Sequence, residues 1–108
     1  QVPVSYVGCY QESYYSQLFN KVYLDYRRKI DWAKVPNTPD MSFVVQACAH
    51  EAVKRKYSYF AIKDYGRCVW GPDGLTVTST RRRSYWCFYG IGGPWLVSVY
   101  TIDNPSGK

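Results

Sequence analysis

Four cysteines in 108 residues constrain this chain more than any other feature. A domain this short buries only about two-thirds of the surface its unfolded chain exposes, so its apolar core is modest and covalent staples matter. An even cysteine count in a short chain reads as a disulfide framework, here two bridges, formed in an oxidising compartment. Zinc is the rival use of cysteine. No Cys-x-x-Cys pair is present, and Cys48-Ala49-His50 is too tight for ordinary zinc spacing, so no metal is expected. The chain starts at Gln1 without Met or an apolar leader, the form a secreted protein takes once its signal peptide is removed. One secreted domain over residues 1–108 is the expectation. No run approaches the roughly 18–20 unbroken apolar residues of a membrane span. The longest, Phe43 to Ala49, is interrupted by Gln46.

The clearest element is a helix. Met41, Val44, Val45, Cys48, Ala49 and Ala52 recur at helical spacing and build one apolar stripe, which carries Cys48 inward. Asp40 or Ser42 is the expected cap at its start, and Lys54-Arg55-Lys56 suits the negative end of its dipole. His50 falls on the opposite, wet face with Gln46 and Lys54. Strands are expected over Val2 to Tyr10, Tyr57 to Lys63, Arg67 to Trp70 and Leu96 to Ile102, with further candidates at Leu75 to Thr80 and Tyr85 to Tyr89. In the first strand, period two puts Val4, Tyr6, Gly8 and Tyr10 on one face. Asp64-Tyr65-Gly66 and Gly71-Pro72-Asp73-Gly74 read as turns, and Lys21 to Ile30 is ambiguous. The sum is an α+β domain with one helix packed on a mainly antiparallel sheet. Four cysteines allow three pairings. A helix packed on the neighbouring hairpin brings Cys48 to Cys68, which leaves Cys9 to tie the first strand to Cys87.

Some of these residues resemble a known pattern. Tyr6-Val7-Gly8-Cys9-Tyr10 is similar to the opening of WSC domains. The block Ala47-Cys48-Ala49, Tyr57-Ser58-Tyr59-Phe60-Ala61-Ile62 and Tyr65-Gly66-Arg67-Cys68-Val69-Trp70-Gly71 resembles the centre of that family and, more loosely, PAN/apple modules. Cys87 with Gly90-Ile91-Gly92-Gly93 looks like the tail of small secreted modules of marine invertebrates, here in a four-cysteine form. The resemblance implies an extracellular recognition module that binds carbohydrate or protein and is not an enzyme.

The residues themselves give little to catalysis. The sole histidine lies on the wet helix face, and the carboxylates are scattered along the chain. Gly90-Ile91-Gly92-Gly93-Pro94 is not a dinucleotide fingerprint, because Pro94 stands where a helix would begin, so neither nucleotide nor other cofactor is expected. What the chain has in abundance is rings and positive charge. Its 12 Tyr, 4 Trp and 4 Phe exceed what a core of this size can hide, and its net charge is +6. The charge gathers in Arg27-Arg28-Lys29, Lys54-Arg55-Lys56 and Arg81-Arg82-Arg83. Phe60 and Trp70, on central strands, are expected in the core. Arg81, Arg83, Tyr85 and Trp86 are expected to form an exposed basic–aromatic patch, with Trp95 and Trp32 as further ligand-binding candidates. Rigid rings beside guanidinium groups suit sugar faces and anionic substituents. A lectin-like module for glycans, with anionic ones as a candidate class, is therefore the leading expectation. An extracellular matrix or protein-interaction role and a cationic defence role are the alternatives. Nucleic-acid binding through Arg81–Arg83 beside Tyr85 and Trp86 is disfavoured by the oxidising compartment.

Overall fold

The computed structural model describes residues 2–11, 21–29, 41–70, 83–84, 86–87, 90–92 and 95–103. Their elements are β1 (Val4–Gln11), β2 (Lys21–Asp25), a 3₁₀ turn (Arg27–Lys29), α1 (Ser42–Lys54), β3 (Tyr59–Lys63), β4 (Arg67–Trp70) and β5 (Leu96–Ile102). The strands form a five-stranded sheet in the order β1-β5-β3-β4-β2. Every pairing is antiparallel, and α1 packs on one face, as the sequence predicts.

All six residues of the apolar helix stripe are buried. They pack with Phe60, Ile62, Cys68, Ile91, Tyr100 and Ile102 from the sheet side. The Cys48–Cys68 disulfide joins helix to β4 inside this cluster, and both its cysteines have no accessible surface. A second, smaller cluster of Tyr10, Ala61, Val69, Val97 and Val99 occupies the other face, so β3 is buried on both sides. Tyr100 lies nearly parallel to Phe60, at 5.3 Å between ring centroids, and its hydroxyl donates to the Gly90 carbonyl at 2.7 Å. Gly90 and Gly92 have φ of +78° and +77°, a conformation L side chains avoid. A Cβ on Gly92 would sit 2.7 Å from the Ile62 carbonyl oxygen, so this loop can hug β3 only with glycine there.

The structure corrects several expectations. Period two fails in β1, because the register slips between Tyr6 and Gly8 and leaves Val7 as an extra residue. Val4 therefore packs with the helix-side cluster while Tyr10 joins the opposite one. Among the described residues no side chain caps the helix. Met41 occupies the cap position and is itself core, at 2% exposure, and Ser42 lies inside the helix. β3 begins at Tyr59, not Tyr57, because Tyr57 still belongs to the helix terminus through its N–H bond to the Ala52 carbonyl. Phe60 is core, whereas Trp70 is only half-buried. Trp86 and Cys87 are not in a strand. The ambiguous 21–30 region holds β2 and the 3₁₀ turn. The strand expected over Leu75 to Thr80, the cap candidate Asp40, and Trp32, Arg81 and Tyr85 lie outside the described residues. No helix among the described residues is long and apolar enough to cross a membrane.

Candidate binding surface

The expected basic–aromatic patch begins at Arg83. This residue forms an isolated antiparallel bridge with Tyr10, on the β1 edge that faces away from β5. Its guanidinium carbon stands 6.0 Å from the centroid of the Tyr10 ring, and Gly8 leaves room for it, since a Cβ there would lie 3.2 Å from Arg83 Nη2. The next N–H, that of Ser84, donates to the Cys9 carbonyl at 2.9 Å. Cys87 then closes the segment through its disulfide to Cys9. Between these attachments, the Trp86 N–H donates to Ser84 Oγ at 3.1 Å, and the Trp86 side chain stands in solvent at 83% exposure. Burying a large apolar side chain is worth on the order of 1.5–3 kcal/mol, and Trp86 forgoes nearly all of that.

Trp95 is the third described candidate, at 50% exposure. It directly precedes β5, where Leu96 pairs with Gln11. Trp95 and the Arg83–Tyr10 bridge thus sit at the same end of the β1–β5 ladder. Of the six candidate ligand residues, the structure brings Arg83, Trp86 and Trp95 to this one region.

Two clusters went unrecognised in the sequence. In the first, Trp70 stacks on Tyr57 at 4.5 Å and 9°, with Lys21 Nζ 5.9 Å from its ring. Tyr57 meets Tyr23 edge-on at 5.5 Å, and Arg55 lies over Tyr23 at the same distance. The Tyr23 hydroxyl donates to the Cys48 carbonyl at 3.0 Å, and burial pushes its phenol well above the ordinary tyrosine range. The second joins the 3₁₀ turn to the β3–β4 hairpin. Asp25 takes two bonds from the Arg27 guanidinium, at 2.9 and 2.7 Å, and Arg67 bridges Asp25 and Asp64 at 3.7 and 3.4 Å. The Arg27 hydrogen bonds hold the Asp25 carboxyl down at about 2. The Arg27-Arg28-Lys29 run signals this second cluster in the sequence. Tyr65, in the turn that Asp64-Tyr65-Gly66 marks, is 39% exposed.

No protein-family model matches the chain, and no curated protein matches it significantly.

Proposed function

We propose that this chain is a secreted, non-enzymatic, lectin-like module that binds glycans through exposed aromatic side chains and neighbouring arginines. The observation that carries this reading is Trp86. A tryptophan at 83% exposure, on a segment fixed by a disulfide, a backbone bridge and a side-chain hydrogen bond, offers a ligand a pre-positioned flat apolar face. A flat, rigid ring stacks on the C–H face of a pyranose with little entropy lost on binding. Arg83, three residues earlier and over the Tyr10 ring, supplies a cation able to bond bidentately to a carboxylate or sulfate. Two disulfides in a small domain are compatible with an extracellular protein. The likeness of Tyr6-Val7-Gly8-Cys9-Tyr10 and the Cys68 hairpin to WSC and PAN/apple modules supports the same class.

A glycan array read at two salt concentrations tests the reading. Sugar-specific binding that persists at high salt is expected, because stacking is not screened. The Trp86→Ala variant is expected to bind at least tenfold more weakly with an unchanged melting temperature, since an exposed ring adds little to the fold. Binding that follows only the charge of the ligand and disappears with salt would favour a polyanion-adhesive role in a matrix or in defence.

A further inference from the structure

The strand registers align one end of the sheet across all five strands. Gln11 lies opposite Leu96, Val97 opposite Lys63, Lys63 opposite Arg67, and Arg67 opposite Asp25. Just beyond this line come Trp95, the Asp64–Tyr65 turn and the 3₁₀ turn Arg27–Lys29. The last two are one unit. The Tyr26 N–H donates to the Gly66 carbonyl at 2.9 Å, and a Cβ on Gly66 would lie 3.0 Å from Arg27 Cγ.

Four non-glycine residues among the described ones have positive φ: Lys56, Asp64, Tyr65 and Trp95. Lys56 closes the C-terminus of α1, and aspartate tolerates this conformation better than most residues. The other two are large aromatics, a poor choice for left-handed backbone. Tyr65, at φ +65°, occupies the second central position of a hairpin turn that ordinarily takes glycine. Both rings are exposed, at 39% and 50%, so burial does not account for either. Strained residues that the rest of the structure sustains gather at ligand sites. The same rim carries five cations, Arg27, Arg28, Lys29, Lys63 and Arg67, against the carboxylates of Asp25 and Asp64. Arg28 and Lys29 are exposed, and Lys29 Nζ lies 5.4 Å from the Tyr26 ring.

We propose that this rim is the site for an acidic oligosaccharide, whose sugar faces lie on Tyr65 and Trp95 and whose carboxylate or sulfate groups meet the 3₁₀-turn cations. The assignment rests on the lectin reading and extends it in two respects. It adds Tyr65 and the Arg27–Lys29 turn to the surface, and it specifies the ligand as acidic.

Tyr65→Gly and Trp95→Gly, singly and together, separate function from structure. Glycine relieves the backbone at both positions, so the melting temperature of each variant should hold or rise. Calorimetric titration with a sulfated oligosaccharide and with a neutral one of equal length supplies the other readout. The double variant is expected to bind the sulfated probe at least tenfold more weakly, and the unaltered chain to prefer it over the neutral probe. Three results overturn the proposal. Unchanged affinity in the double variant, with affinity lost in Trp86→Ala, would leave the lectin reading standing without this rim. A melting temperature lowered by several degrees would make the two rings structural. An unaltered chain that binds no sugar on the array would overturn both readings together.

Discussion

Asp25 organises the charge at the end of β2. It accepts two bonds from Arg27 and lies 3.7 Å from Arg67, and its side chain keeps 36% of its surface in water. Partial exposure discounts the pair to about 0.5–1 kcal/mol. The folded-state carboxyl sits at about 2 against an ordinary 3.8, so its stabilisation is present above pH ~4 and is lost as pH falls through 2. Asp25→Asn is therefore expected to lower the melting temperature by a few degrees at pH 6–7. The difference from the parent should narrow below pH ~4 and close only below pH ~2, as a pH series of thermal unfolding curves would reveal. An offset as large at pH 2 as at pH 7 would mean that charge is not the cause. At this scale the sequence was partly informative. The Arg27-Arg28-Lys29 run marked a basic site, but only the fold brings Arg67 and Asp64 to it from another hairpin. Trp86 and Trp95 stood in the sequence as ligand candidates, and the structure exposes both. Tyr65 was legible only as a turn residue, because its left-handed backbone and its place beside the 3₁₀ turn depend on the fold.

The two ends of α1 are built differently. At the C-terminus, the Lys56 N–H bonds to the Val53 carbonyl at 3.0 Å and the Tyr57 N–H to the Ala52 carbonyl at 2.9 Å. With Lys56 at φ +63°, this is a Schellman closure, whose left-handed position favours glycine. Lys56→Gly should raise stability by about 0.5–1 kcal/mol, the backbone relief outweighing the entropy of a more flexible unfolded chain. Denaturant unfolding would register this as a higher midpoint at constant slope. A lower midpoint would show that the lysine side chain contributes more than its backbone costs. At the N-terminus, Met41 fills the cap position with a core side chain, so burial outweighs a capping bond worth ~1 kcal/mol. Helical spacing identified the stripe because all six residues face one core. The same logic placed β5 correctly at Leu96–Ile102. It failed in β1, since one extra residue at Val7 reverses every later side chain and leaves no trace in composition.

The whole molecule is held by two bridges with different burdens. Cys9–Cys87 spans 78 residues and Cys48–Cys68 spans 20. Loop-closure entropy assigns roughly 4.5 kcal/mol to the longer and about 3 kcal/mol to the shorter, both upper values. Access runs the other way to protection. Cys48 and Cys68 are sealed between helix and sheet, whereas Cys87 is half-buried beside the exposed Trp86. A thiolate must reach sulfur to exchange, so mild reductant should open Cys9–Cys87 first. Its loss frees the segment that carries Arg83 and Trp86 from one of its attachments to β1 while Cys48–Cys68 still joins α1 to β4. Thiol trapping with mass mapping is expected to label Cys9 and Cys87 before Cys48 and Cys68, and far-ultraviolet circular dichroism should retain the helix at that stage. Glycan affinity should fall in step with the first labelling, ahead of any loss of helix. Labelling of Cys48 and Cys68 first would contradict this order. Affinity that survives full reduction of Cys9–Cys87 would mean that clamping the Trp86 segment is not needed for binding.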